Sequence, residues 1–243
     1  MRTVAIIQAR MSSARLPGKV LTDLGGQPVL ARVLNRVARA RMLSDLVVAT
    51  TTDTGDDVLA KTCAQRGWHS FRGNVTDVLD RYYHAAKVYK TDNIVRVTAD
   101  CPLIEPEVID LVVGKLLRTN SDYASNVLKR TYPRGLDVEA MTCTCLTRAW
   151  HEASEPWHRA HVTPYIYLNP SKFRLASVTG DADFSSHRWT VDTPQDLEFV
   201  KAVYNRLGND DGFNWRDVLR ILAEEPWLTD INRNVTQRSP QEC

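Results

Sequence analysis

The sequence lacks the two glycine-rich signatures that most often cradle phosphate. Neither G-x-x-x-x-G-K-[ST] nor G-x-G-x-x-G occurs among its 243 residues. A phosphate site would therefore rely on side-chain cations more than on glycine amides. Cysteine is scarce: five residues at Cys63, Cys101, Cys143, Cys145 and Cys243, odd in number and without a disulfide framework. Cys143-x-Cys145 has no second Cys or His pair at zinc spacing, so reduced thiols are expected. No long apolar run opens the chain. Val4 to Ile7 is too short for a signal peptide or a membrane helix, and a soluble cytoplasmic protein is expected. Net charge is only +2, which gives no general pull toward nucleic acid or a membrane surface. Repeats, low-complexity tracts and linkers are absent as well, so residues 1–243 read as one domain, with 208–243 as a C-terminal helix and tail. The last residues, from Gln237, are polar and expected to fray.

What is present is an alternation of strands and helices. Thr3–Gln8, Leu46–Thr50, His69–Arg72 and Asn93–Thr98 read as strands. Between them, Pro28–Met42, Asp56–Arg66 and Val75–Val88 read as helices, the last capped by Asn74, and Pro106–Leu117 follows. This order predicts an α/β protein, a three-layer α/β/α arrangement around a mainly parallel sheet. The second half is less regular. Asp122–Asn126, Leu136–Met141, Arg174–Val178 and Arg188–Val191 are expected strands. Cys145–Ser154, His158–Leu168, Pro194–Leu207 and Trp215–Glu224 are expected helices, and the six tryptophans are expected in the core.

Ligands of such sheets bind beyond the carboxyl ends of strands, and three segments lie there. The first is Gln8-Ala9-Arg10-Met11-Ser12-Ser13-Ala14-Arg15-Leu16-Pro17-Gly18-Lys19, with three cations in ten residues and no acid before Asp23. Arg10 and Arg15 can fork onto phosphate oxygens, and Lys19 offers a compact charge. The alternative is a solvated basic loop. The second is Thr98-Ala99-Asp100-Cys101-Pro102. Glu105 is the nearest cap for the next helix, which leaves Asp100 free for a metal such as Mg²⁺ or for an Asx-turn. The third is Asp192-Thr193-Pro194-Gln195-Asp196. Thr193 suits an N-cap, Pro194 the first helical position, and Asp196 a capping box. Asp192 is then outside the cap, able to share one metal with Asp100, unless it is itself the cap.

Together these segments resemble the cytidylyltransferase family of sugar-acid activating enzymes, which includes the CMP-Kdo and CMP-sialate synthetases. The SpsF spore-coat polysaccharide branch is the nearest in look. The spacing of Arg10, Ser13, Arg15, Pro17, Gly18 and Lys19, the placement of Asp100 and the run Asp192-Thr193-Pro194 carry the resemblance. It implies a GT-A-like, Rossmann-like fold and a homodimer. It implies Mg²⁺-dependent transfer of CMP from CTP to the anomeric hydroxyl of a sugar acid, with release of pyrophosphate. Arg10, Lys19, Asp100 and Asp192 would be catalytic, with Asp100 and Asp192 on the metal. Gln8, Ala9, Arg10, Met11, Ser12, Ser13, Arg15, Lys19, Thr98 and Asp100 would bind the nucleotide. No general base is evident, and metal-assisted ionisation of the hydroxyl is the expected route.

Ala99-Asp100-Cys101 departs from the Gly-Asp-Glu of the Kdo branch, which leaves the acceptor open. Pro133-Arg134-Gly135-Leu136-Asp137-Val138-Glu139 and His158-Arg159-Ala160-His161 look like the SpsF branch. Arg134, with Arg159 in reserve, is a candidate fork for a sugar carboxylate, and Asn126 is a further acceptor candidate. Asp137 and Glu139 share a face if the segment is a strand. Contact with the acceptor, contact with a dimer partner and plain solvation stay open for them. His161 is either an acceptor or catalytic residue or a packed one. Two other readings remain: a related nucleotide-sugar glycosyltransferase, for which Asp181-Ala182-Asp183 formally supplies a D-x-D, and a non-catalytic nucleotide-binding module.

Overall fold

Apolar alternation and punctuating glycines and prolines organise residues 1–237, which the computed structural model describes. The expected frayed end, apart from Gln237, lies outside the described residues. Thr3–Gln8 forms β1. A loop and one turn of 3-10 helix at Lys19–Leu21 lead to a small hairpin, β2 (Asp23–Leu24) and β3 (Gln27–Pro28), and to α1 (Val29–Val37). Next come β4 (Asp45–Thr51), α2 (Asp57–Gln65), β5 (Ser70–Gly73) and α3 (Val78–Val88). β6 (Asn93–Thr98) and α4 (Pro106–Arg118) complete the regular half. The second half runs β7 (Tyr123–Ser125), β8 (Glu139–Thr142), α5 (Cys143–Glu152), α6 (Pro156–His161), α7 (Pro164–Tyr167) and β9 (Leu175–Ser177). α8 (Pro194–Arg206) and α9 (Trp215–Glu224) follow.

Seven strands form one sheet in the order β5-β4-β1-β6-β8-β7-β9. All pairings are parallel except those of β8 with β6 and β7, so only β8 runs against the rest. Alternate residues of β1 enter opposite cores. Ala5 and Ile7 pack toward α1, α2, α4, α8 and α9, whereas Val4 and Ile6 pack toward α3 and α5. This two-sided burial explains the near-continuous apolar runs of the central strands. After β1 the chain builds β4 and β5 on one side, then crosses to β6 on the other. The crevice between the carboxyl ends of β1 and β6 is therefore the switch point of the sheet, where open α/β folds place ligands. Gln8 pairs in register with Thr98 there.

Five expectations change. Arg188–Val191 is not a strand; the segment makes one isolated bridge, Arg134 to Arg188, and Val191 N–H donates to the Asp100 carbonyl at 2.7 Å. Gly135 permits this approach: at φ 110° it lies so near Trp189 and Thr190 that a Cβ would meet their backbone at 2.7–2.8 Å. Regular pairing of β8 starts at Glu139, so Asp137 precedes the strand. The expected helix His158–Leu168 is split between α6 and α7 at Val162, which has φ 74° and ψ −58°. Thr163 N–H donates to the His161 carbonyl at 2.9 Å, closing a tight γ-turn. Pro164 has no N–H to continue a helix, and starts a new one instead. Finally, Asp77 caps α3, while Asn74 closes a turn before it. Five tryptophans are buried or half-buried, but Trp227 is 54% exposed under the guanidinium of Arg206.

Candidate active site

The loop after β1 is curled by its own backbone. Met11 carbonyl accepts from Ser13 N–H at 3.1 Å and from Gly18 N–H at 2.9 Å. Gly18, at φ 72°, is left-handed and turns the chain into the 3-10 helix that begins at Lys19. Buried Asp56 secures the loop from outside, accepting from Met11 N–H at 2.6 Å, from Thr51 N–H at 3.3 Å and from the Thr51 hydroxyl. Gln8, Ala9, Arg10, Ser12, Ser13, Arg15 and Lys19 consequently face one cleft of about 330 Å³, closed opposite by Thr98, Asp100 and Asp192. Met11 differs from these: its half-buried side chain packs on the core. Arg10 is exposed and makes no salt bridge among the described residues.

The charged groups converge on Lys19. Its Nζ donates at 2.8 Å to Asp100 Oδ2, Asp192 Oδ1 and the Val191 carbonyl. Asp192 Oδ2 also receives Arg15 at 3.0 Å and Arg188 at 2.9 Å. Burial alone would lower the Lys19 pKa, but the two carboxylates outweigh it and leave it above the ordinary 10.5. Burial likewise works against the Asp100 carboxylate, yet the Lys19 ammonium beside it holds its pKa below the usual Asp range. Neighbouring segments fix both acids. Tyr204 hydroxyl donates to the Pro102 carbonyl at 2.9 Å, and Glu105 caps α4. Thr193 and Asp196 form the expected capping box, which leaves Asp192 outside the cap. Arg188 then bridges Asp192 to buried Asp196, whose Oδ1 also receives Asn232 at 3.0 Å.

A second cavity of about 200 Å³ adjoins the first, with Thr98 lining both. Asp137, Glu139 and His161 border it, together with Arg96, Arg130 and Thr163. Glu139 is not solvated: it is 6% exposed, paired with Arg96, and accepts from the Tyr123 hydroxyl at 2.6 Å. Asp137 takes both amino groups of Arg130, at 2.6 and 2.7 Å. Two other candidates are committed elsewhere. Asn126 is buried and spends its amide on the Leu136 carbonyl and Val138 N–H. Arg159 is committed to Asp77 and to the carbonyls of Trp150 and Ala153. The backbone of Arg134 is used in the bridge to the 187–189 segment, while its half-buried guanidinium lies near Asp137 and Arg130, the guanidinium that lines the second cavity. Asp181-Ala182-Asp183 is an exposed turn, with Asp183 accepting from Ser185 N–H.

Asp56, Arg96, Arg130 and Arg188 escaped the sequence reading. Arg96 did leave a signal, as the one charge in the apolar strand Ile94-Val95-Arg96-Val97. The others depend on contacts across 4 to 45 positions in irregular segments, where no helical or strand period announces them. As assembled, a cationic loop faces two carboxylates across a cleft at the switch point, an arrangement able to hold a polyanion together with a divalent cation.

Comparisons with known proteins agree on one family. The family model described as cytidylyltransferase matches residues 4–211. The chain is 32% identical over 228 residues to the spore coat polysaccharide biosynthesis protein SpsF of Bacillus subtilis, covering 91% of this chain and 94% of that one. It is 40% identical over 244 residues to a 3-deoxy-manno-octulosonate cytidylyltransferase of Anaeromyxobacter dehalogenans, covering 84% and 98% respectively. Among solved structures, a cytidylyltransferase from Leptospira borgpetersenii superposes with a TM-score of 0.90 at 32% identity, over 98% of this chain and all of that one.

Proposed function

The chain belongs to the cytidylyltransferase family, and on that premise we propose that it transfers CMP from CTP to the anomeric hydroxyl of a sugar acid. It is an enzyme of the nucleotidyltransferase class with the α/β fold of that class. The observation that carries the reading is the convergence of Lys19, Asp100 and Asp192 in the switch-point cleft, beneath a loop bearing Arg10 and Arg15. In the reaction the sugar oxygen attacks the α-phosphorus, the bond to the β-phosphate breaks, and pyrophosphate leaves. Negative charge grows on the phosphate oxygens, where Arg10, Arg15 and Lys19, which line the cleft, would stabilise it.

Asp100 and Asp192 suit Mg²⁺ in chemistry and position. Both are hard carboxylate donors, both border the cleft, and one oxygen of each lies 2.8 Å from a common cationic point. Mg²⁺ held there would neutralise phosphate charge and favour ionisation of the attacking hydroxyl. The acceptor is assigned to the second cavity, because Thr98 joins it to the nucleotide cleft. Arg134, whose guanidinium lies near Asp137, would take the sugar carboxylate, while Arg130 would hold Asp137 toward the sugar hydroxyls, with His161 and Thr163 beside it. The whole chain acts as one domain, as a homodimer in the cytoplasm, in surface-polysaccharide synthesis. None of its described helices is long and apolar enough to cross a membrane.

A screen of four nucleoside triphosphates against a panel of sugar acids, read as pyrophosphate release with Mg²⁺, tests this. Release only with CTP plus a sugar acid is expected. Release that is independent of the acid, or that prefers another nucleotide, overturns it.

A further inference from the structure

Lys19 has no hydrogen left to give. Its ammonium carries three donors, and all three are spent at 2.8 Å, on Asp100, Asp192 and the Val191 carbonyl. In the free protein it therefore serves the acids, although it lines the cleft. Asp192 is further neutralised by Arg15 and Arg188 through its other oxygen. The two acids thus already hold cations, and those cations belong to the protein. Two of them, Lys19 and Arg15, sit on the loop that lines the nucleotide cleft, whereas Arg188 is tied to buried Asp196 and Asn232 from behind.

We propose that Lys19 is a resident counter-cation occupying the divalent-metal position between Asp100 and Asp192, so that the metal settles only when a triphosphate draws Lys19 away. The inference rests on the nucleotidyltransfer reading. A divalent ion approaching the free protein meets an ammonium and a guanidinium at the donors it needs, and like-charge repulsion opposes it. A triphosphate entering the cleft offers Lys19 and Arg15 new anionic partners. As they shift to the phosphates, Asp100 loses its counter-ion and Asp192 keeps only Arg188, so the oxygens that Lys19 held become available. Arg188 does not travel with them, because its Nε and Nη2 both remain on Asp196. The order of events follows: nucleotide first or metal and nucleotide together, never metal alone. The loop is thereby both the triphosphate cradle and the gate on the metal.

Water-proton relaxation with Mn²⁺ as probe tests this on the full chain, without turnover. Free wild-type protein should give little enhancement, and addition of α,β-methylene-CTP should give a strong one. Lys19→Met, without nucleotide, should bind Mn²⁺ ~10-fold or more tightly than free wild type, since the competing charge is gone. Lys19→Gln serves the same purpose if the methionine variant fails to fold, as judged by circular dichroism. Equal Mn²⁺ binding by wild type with and without the analogue overturns the proposal, as does unchanged Mn²⁺ affinity in the folded Lys19 variant. Calorimetric titration of the analogue separates the two readings. If the analogue does not bind at all, the nucleotide reading itself fails; if it binds to protein whose metal site is already open, only the gate fails.

Discussion

The two cavities at the carboxyl edge of the sheet meet at Thr98, yet they hold their charges in opposite ways. In the first, one carboxylate is shared: Asp192 receives Lys19, Arg15 and Arg188 together. Two of those cations are on a loop, so partners can be exchanged when an anion arrives. In the second, each acid has settled partners. Glu139 lies beneath Arg96 and Tyr123 with its side chain 7% exposed, and Asp137 is held in a fork by Arg130. The γ-turn at Val162 adds a fixed corner between His161 and Thr163. The difference separates a site built to rearrange its charge from one built to hold a shape, which is what the proposed transfer asks of a phosphate site and of an acceptor site.

The sharpest way to break the comparison is at the shared acids. Asp100→Asn and Asp192→Asn should each cut pyrophosphate release from CTP by about 10²–10³-fold, on the scale of losing one main electrostatic contact. Intact turnover in both, with Mg²⁺ present, would remove the metal from the reading. In the second cavity the larger effect should be on stability. Glu139→Gln leaves Arg96 buried without its counter-ion and should cost about 3 kcal/mol in urea unfolding, with CTP affinity unchanged.

Acid should act on the first cleft through Asp100. Its pKa is depressed in the folded protein, so the unfolded chain takes up its proton first as pH falls. The stability it contributes is full above the ordinary carboxylate range, about 4, and drains away as pH drops through the lowered value. An unfolding series below pH 5 should show this slope in the wild type and a weaker one in Asp100→Asn. The smallest expected change is at the cavity rim: Arg130→Met should lower stability by only about 0.5 kcal/mol, because the pair with Asp137 is partly solvated. It should raise KM for the sugar acid while leaving KM for CTP in place; a rise for CTP instead would mean that the two cavities do not divide the substrates.

The first half of the chain was legible because strands buried on both faces must be apolar throughout, and the helices between them repeat at helical spacing. Thr193, Pro194 and Asp196 were equally legible, since a cap is a local contract among residues three apart. The second half was harder to read. Arg188–Val191 has the composition of a strand but finds its partners in Arg134 and Asp100, far away in sequence. The break at Val162 was marked by Pro164, but the helical apolar pattern continues on both sides of it.

The sequence by itself determined the mainly parallel character of the sheet, the cationic loop after the first strand, and the Thr193-Pro194-Asp196 start of a helix, because each follows from local periodicity or from neighbours a few residues apart. Only the tertiary structure decided that Lys19 stands between Asp100 and Asp192, that Arg188 holds Asp192 from behind, and that Glu139 is buried under Arg96. The first joins segments brought together by the crossover at the β1–β6 switch point and by the close passage at Gly135, the second depends on how the irregular 188–192 segment curls, and the third on the antiparallel pairing of β6 with β8. A charge reports its sign in the sequence, but its partner is chosen by packing.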